Sequence, residues 1–140
     1  MAAMPLMWPR FSATRMTAIG AINTIAGAEK TGVEKFGRPI QAAPGHHLVT
    51  GDLNIPANAP IPRHYHHGEE FLYILGGSTV IVREGLGEMT LMPGQGVRIA
   101  PGTVHWGRAG PQGLRAVSSW VVPDGQPLRV AVPDQPGGAH

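Results

Sequence analysis

The sequence predicts an all-β fold, an antiparallel barrel or sandwich built from many short strands. Its 140 residues include 20 glycines and 14 prolines, so turn-forming residues recur at short intervals and favour short strands over long helices. Charged residues make up 14% of the chain, whereas roughly 25% is usual for globular domains. The length suits one domain around one hydrophobic core.

The N-terminal segment, residues 1–40, is the least regular part of the chain and is predicted to be an extension. Ile19, Ile22 and Ile25 have helical spacing, but nearby glycines and β-branched residues weaken a helix, so a short helix and an edge strand both stay open. The apolar run MPLMW is shorter than the roughly 7–15 residues of a signal-peptide core. We therefore expect the extension to pack on the barrel or on a partner subunit.

The barrel itself is predicted over residues 41–130, followed by a flexible Pro/Gly-rich tail over residues 131–140. A first strand, HHLVTGDLNI, alternates in polarity, and PANAPIP reads as a turn. The further predicted strands are EEFLYIL, STVIVRE, EMTLM, GVRIA, VHWGRA and LRAVSSWVV. Gly76 and Gly77, between EEFLYIL and STVIVRE, are predicted to allow a sharp reversal of the chain.

Composition and charge exclude several classes of function. The net charge of +2 comes from scattered residues without a Lys/Arg run, which argues against a nucleic-acid partner. No apolar run approaches the ~20 residues of a membrane span. The absence of cysteine excludes disulfides, zinc ribbons and a cysteine nucleophile. We expect a cytoplasmic protein.

A cluster of imidazoles and carboxylates begins shortly after the predicted turn. His64 and His66 are two residues apart, so they share one face of a strand. Glu70 rejoins that face if Gly68 allows a bulge or tight turn. Much later in the chain, a Gly/Pro turn delivers His105 to the start of another strand. If the two strands are neighbours, these four side chains form one set.

The chemistry of this set predicts one bound divalent transition-metal ion. Neutral imidazoles and a carboxylate are borderline ligands that suit Fe, Mn, Co, Ni, Cu or Zn, and the ligand types do not select among these metals. Four protein ligands on an octahedral ion leave two positions for water or substrate.

The same residues resemble the two motifs of the cupin superfamily. The pattern G-x5-H-x-H-x3-E-x6-G is matched here by Asn58, His64, His66, Glu70 and Gly77, with Asn in place of the first Gly. The pattern G-x5-P-x-G-x2-H-x3-N is matched by Gly94, Ala100, Gly102, His105 and Ala109, with the proline displaced to Pro101. Neither departure removes a metal ligand, and the resemblance extends over roughly residues 45–123.

This resemblance implies a small single-domain jelly roll with His64, His66, Glu70 and His105 as metal ligands. Cupins with such ligands include dioxygenases, decarboxylases, lyases, isomerases and polyketide cyclases. We expect a metal-dependent oxidoreductase of the dioxygenase type, acting on a small aromatic or enolic molecule, with Glu70 as the catalytic base.

Two other functions stay open. One is a non-oxidative metal enzyme such as a polyketide cyclase, isomerase, lyase or decarboxylase. Among these, the cupin sulfoniopropionate lyases place a tyrosine directly after the glutamate. This chain has Phe71 there, which argues against that lyase activity. The other is a non-catalytic protein that binds a small organic molecule.

Strand alternation also suggests which other side chains surround the substrate. The predicted pocket residues are His47, Leu72, Ile74, Arg98 and Trp120. Of these, Arg98 would anchor a substrate carboxylate. Tyr73 is expected to point away from the metal and into the core. Because small cupins tend to dimerise, the resemblance further implies a homodimer.

Overall fold

The computed structural model describes residues 32–134, and every regular element in that range is a β-strand. The strands are β1 (Gly32–Pro39), β2 (His46–Ile55), β3 (Pro60–Tyr65), β4 (Glu70–Arg83), β5 (Gly87–Leu91), β6 (Gly96–Ile99), β7 (His105–Pro123) and β8 (Val130–Ala131). The first part of the predicted extension and most of the predicted tail lie outside the described residues. Within the described range, no helix is long and apolar enough to cross a membrane.

All strand pairings are antiparallel, and β4 and β7 are the two strands on which the others assemble. The end of β7 lies between β2 and the start of β4, which gives the order β1–β2–β7–β4–β6. The start of β7 lies between β3 and the end of β4, which gives the order β8–β3–β7–β4–β5. We call these groups the first and second layers. Together they form a jelly roll, which confirms the predicted all-β fold.

The prediction that Gly76 and Gly77 reverse the chain is wrong. Strand β4 continues through both glycines, and its register with β7 shifts on either side of them. A bulge of this kind bends a strand without ending it, so the strand passes from the first layer to the second. Likewise, the separately predicted strands VHWGRA and LRAVSSWVV form one long strand, β7.

Two other boundaries differ from the prediction. The sheet begins at β1, inside the segment predicted as an extension, because residues 32–39 pair with β2 along their whole length. The predicted turn PANAPIP ends at Pro60, where β3 starts, and only its first half turns.

The core lies between the two layers and is filled by alternate residues of the strands. It contains Leu72, Ile74, Ile81, Leu91, Ala109, Leu114 and Ala116. On β4, the intervening residues Phe71, Tyr73 and Leu75 point outward and are exposed. Tyr73 therefore does point away from the predicted metal ligands, but its expected place in the core is wrong, since 51% of it is exposed.

Candidate metal centre

The four predicted metal ligands converge at one end of the jelly roll, where the two layers meet. His64 lies in β3, His66 follows that strand, Glu70 begins β4 and His105 begins β7. His64 and His105 are direct cross-strand partners. All four side chains are buried, and one ligand atom from each lies within 4.8 Å of the others.

A close approach at Gly68 and a backbone hydrogen bond from Gly102 bring the ligand segments together. A Cβ atom on Gly68 would lie 1.6 Å from the carbonyl oxygen of Val121, so only glycine lets the chain between His66 and Glu70 pass so close to β7. The amide of Gly102 donates to the carbonyl oxygen of His66 at 2.8 Å, which ties the turn before His105 to the first histidine pair. The sequence-based expectation of a tight turn at Gly68 therefore has a specific cause, the close approach of β7.

Backbone carbonyls determine which nitrogen of each imidazole carries hydrogen. The Nδ1 atoms of His64, His66 and His105 lie 2.6, 2.6 and 2.9 Å from the carbonyl oxygens of Pro62, Leu128 and Thr103. A carbonyl oxygen only accepts hydrogen bonds, so each neutral ring must place its hydrogen on Nδ1. The three Nε2 atoms then present lone pairs to the centre.

These lone pairs face a carboxylate oxygen rather than a hydrogen-bond donor. The Oε2 atom of Glu70 lies 2.9 Å from Nε2 of His66 and 3.1 Å from Nε2 of His105. Among the described residues, Nε2 of His66 is buried without a hydrogen-bond partner. Acceptors gathered this closely in a buried site repel one another unless a cation lies between them. The donor set therefore fits a divalent metal ion.

Ser118, which sequence reasoning missed, positions the carboxylate. Its hydroxyl donates to Oε1 of Glu70 at 2.6 Å, and Ser118 is fully buried. This bond occupies one oxygen of Glu70 and leaves Oε2 for the centre. Nothing in the local sequence distinguishes Ser118 from its neighbour Ser119, so no sequence signal identified it.

The protonation of His64 and Glu70 also favours a cation. Burial lowers the pKa of His64 to about 4, despite the opposing hydrogen bond to Pro62. Burial by itself would raise the pKa of Glu70. In the metal-free protein, hydrogen bonds that His105 and His66 donate through Nε2 when their rings are protonated, together with the hydrogen bond from Ser118, outweigh burial and hold that pKa well below its usual value. Near neutral pH, His64 is therefore an unprotonated ligand and Glu70 a carboxylate.

The ligands form part of the wall of a cavity of about 470 Å³, within the size range of small-molecule sites. Most of the remaining wall is apolar. Its apolar side chains are Leu53, Ile55, Pro56, Ala59, Pro60, Ile61, Pro62, Leu72, Ile81, Ile99, Leu114, Trp120 and Leu128. Three polar side chains besides the ligands, Lys35, Asn54 and Arg129, complete the lining among the described residues.

The structure separates the five predicted pocket residues. Leu72 and Trp120 line the cavity, and the ring of Trp120 lies 5.9 Å from that of His66. Ile74 does not line it, because its side chain is fully buried in the core.

His47 and Arg98 also lie away from the cavity, which corrects their predicted placement. Nδ1 of His47 lies 3.1 Å from a carboxylate oxygen of Asp124, at the end of β7. Arg98 is on the outer face of β6, where it donates to Glu69 at 2.7 Å. Glu69 also faces outward, and its charge is what holds Arg98 there.

Comparison with known proteins gives the class to which this fold and centre belong. The family model described as "Cupin domain" matches residues 51–120, half of the chain. The chain therefore belongs to the cupin family, as the two sequence motifs predicted. No curated protein matches the sequence.

Solved structures share the fold at low sequence identity. A cupin-like protein from Thermotoga maritima aligns with a TM-score of 0.56 and 18% identity over 71% of this chain and 74% of its own. The DMSP lyase DddQ from Ruegeria pomeroyi aligns with a TM-score of 0.56 and 22% identity over 76% of this chain and 54% of its own. Oxalate decarboxylase from Bacillus subtilis aligns with a TM-score of 0.58 and 15% identity over 73% of this chain and 28% of its own. This chain thus spans about half of the lyase and under a third of the decarboxylase, and the likeness extends to the fold alone.

Proposed function

We propose that this cupin is a metal-dependent oxidoreductase of the dioxygenase type that acts on a small aromatic or enolic molecule. One observation carries the proposal: three imidazole lone pairs and one carboxylate oxygen converge on the wall of a mainly apolar cavity. A divalent transition metal bound there would lower the pKa of an enolic or phenolic hydroxyl and bring oxygen and substrate together at its open positions.

The chain's own residues would supply binding and orientation. Leu72, Ile99 and Leu114 exclude water from the inner cavity, and the indole of Trp120 offers a flat surface for a planar substrate. Carbonyl groups hold the imidazoles, and Ser118 holds Glu70, so the ligands are oriented before substrate enters.

The lining of the cavity favours oxidative over acid–base chemistry. Among the described residues, no Ser, Thr, Tyr or non-ligand His lines it, and Glu70 is its only carboxylate. Because Ser118 holds Glu70 in place, we assign Glu70 as a ligand, and not as the catalytic base that the sequence suggested. A lyase, isomerase or polyketide cyclase would need a proton acceptor that this wall does not otherwise provide.

Metal content tests the first half of the proposal. Elemental analysis of protein purified without added metal should find about one transition-metal ion per chain. The variants His64→Ala and His105→Ala should lose it, whereas His67→Ala should keep it, because His67 packs edge-to-face against Tyr65 instead of joining the ligand set. Equal metal content in all four proteins would contradict the metal centre.

Oxygen dependence tests the second half. A panel of catechols and β-diketones, followed with an oxygen electrode, should reveal a substrate whose turnover consumes oxygen and stops under nitrogen. The His105→Ala variant should be inactive in the same assay. Turnover that continues without oxygen, with zinc in the site, would instead identify a non-oxidative cupin enzyme.

A further inference from the structure

The mouth of the cavity has an excess of positive charge. Its lining includes two cationic side chains, Lys35 and Arg129, and a single carboxylate, that of Glu70, which belongs to the metal centre. With a divalent ion present, Glu70 is more than neutralised, and the three histidines add no negative charge. The cavity as a whole is then strongly electropositive, which favours an anionic occupant.

Lys35 reaches the cavity from β1. In the first layer, Lys35 pairs with Gly51, Gly51 with Ser118, and Ser118 with Leu72, so these residues form one row across the sheet. Both Ser118 and Leu72 face inward, which places Lys35 on the same face as the metal centre. The glycine contributes no side chain to the row, so nothing in it separates Lys35 from Ser118.

Arg129 reaches the cavity from the segment that follows β7. Its preceding residue, Leu128, accepts the hydrogen bond from Nδ1 of His66 at 2.6 Å. Its following residue, Val130, pairs with Tyr65 in β3. Contacts on both sides therefore fix the backbone of Arg129 beside the metal centre.

Neither cation has a partner in the described part of the chain. Among residues 35–134, whose side chains the structure describes, four ion pairs join arginine or histidine to a carboxylate outside the metal centre, and none of them involves Lys35 or Arg129. By contrast, Arg98 and Arg115 are paired with Glu69 and Asp52 on the outer surface. The two cations at the cavity are thus available for a ligand.

From these positions we infer that the substrate is an amphipathic carboxylate, whose apolar body fills the inner cavity and whose anionic end is bound by Lys35 and Arg129. The inference rests on the proposed function in taking this cavity as the substrate site. It also reassigns the anchoring of a carboxylate, which the sequence suggested for Arg98, to two residues that the sequence did not single out.

Binding of a matched pair of probes tests the inference. The probes are 3-phenylpropionate and 3-phenylpropionamide, which have similar size and differ in charge. Calorimetric titration of the protein as purified should show that the carboxylate binds about 10-fold more tightly than the amide. The variants Lys35→Met and Arg129→Met should each lower carboxylate affinity about 3-fold, and the double variant should remove the preference.

The control variant is Arg38→Met. Arg38 is exposed, lies on the same strand as Lys35 and stacks on Phe36 outside the cavity, so its loss should leave both affinities unchanged. A wild-type protein that binds both probes equally would overturn the inference. So would a double variant that keeps the preference, because the carboxylate would then be recognised by the metal.

Elemental analysis of the same samples separates this inference from the proposed function. A wild-type protein that contains no metal but prefers the carboxylate through Lys35 and Arg129 would support the inference and contradict the metal-dependent function. A metal-containing protein without the preference would overturn the inference and leave the metal centre intact.

Discussion

At the scale of single residues, the hydrogen bond from Ser118 to Glu70 allows a direct test of the candidate metal centre. Because Ser118 binds Oε1 of Glu70, the variant Ser118→Ala should free the carboxylate to rotate and lower metal affinity about 10-fold. Ser119→Ala is the matched control, since its hydroxyl faces Thr50 on the outer surface. Competition with a chelating dye would measure the metal affinity of both variants. Equal metal affinities would contradict the positioning role of Ser118.

The lowered pKa of His64 makes a prediction about pH. In the unfolded chain His64 titrates near 6.5, but in the folded protein it titrates at about 4, so the unfolded state binds more protons between these values. The stabilisation is complete above about pH 6.5 and is lost as the pH falls toward 4. The lowered pKa of Glu70 acts in the same direction at still lower pH.

Urea denaturation of metal-stripped protein would measure this effect. The free energy of unfolding should fall by up to about 3 kcal/mol between about pH 7 and pH 4 through His64. The variant His64→Gln has no group that titrates there and should show a smaller fall. The same fall in both proteins would exclude His64 as its source.

Sequence spacing correctly predicted that His64, His66, Glu70 and His105 converge, because the two motifs fix their separations along the chain. Ser118 escaped notice because a serine within a strand has no signature, and its partner Glu70 is 48 residues away. The alternation of side chains along a strand did not correctly predict whether His47 and Arg98 line the cavity. Both have polar partners, Asp124 and Glu69, that the one-dimensional pattern does not reveal.

At the scale of elements, the two adjacent glycines of β4 are expected to respond differently to the same substitution. Gly77 has φ of 65°, and a Cβ there would lie 2.0 Å from the carbonyl oxygen of Gly113. Gly77→Ala should therefore destabilise the protein by about 2 kcal/mol or more. A Cβ on Gly76 meets ordinary contact at 3.5 Å, so Gly76→Ala should change stability by less than about 1 kcal/mol. Thermal denaturation of both variants checks the difference, and equal losses would contradict it.

The strand pattern was readable from the sequence, but the continuity of the long strands was not. Glycines such as Gly76 and Gly77 end a strand in one context and mark a bulge in another, and the local sequence is the same in both. The pairing of β4 with two stretches of β7 decides between them here, and that pairing depends on residues about 30 to 50 positions away.

At the scale of the whole molecule, the outer face of the first layer is unusually apolar. Phe36, Leu48, Phe71, Tyr73 and Leu75 are all more than 40% exposed. The register places Phe36, Thr50, Ser119 and Phe71 in one row across four strands. Two of the arginines on this face are paired within the chain, Arg115 with Asp52 and Arg98 with Glu69, and a third, Arg38, lies over the ring of Phe36. A large apolar face whose charges are mostly paired is suited to meeting its own copy.

We propose a homodimer through this face. Sedimentation velocity should show a dimer for the wild-type protein and a monomer for the double variant Phe71→Asp, Tyr73→Asp. Leu86→Asp is the control, because Leu86 is 64% exposed in the turn between β4 and β5 and lies outside the face. A monomeric wild-type protein would contradict the proposal.

The fold was predictable as a whole because composition, turn spacing and both motifs indicate the same architecture. The cationic mouth of the cavity was not, since Lys35 and Arg129 come from opposite ends of the described chain. Only the pairing of β1 with β2 and of β8 with β3 brings them to one opening.

The hydrogen bond from His66 to Leu128 links the candidate metal centre to a distant stretch of chain. The carbonyls that hold His64 and His105 are only two residues away from them, but the one that holds His66 is 62 residues away. If the centre binds a metal ion, displacement of the segment after β7 should weaken that binding. The absorption of a cobalt-substituted protein would then show whether the segment is in place, and a partner that displaced the segment would cause loss of metal.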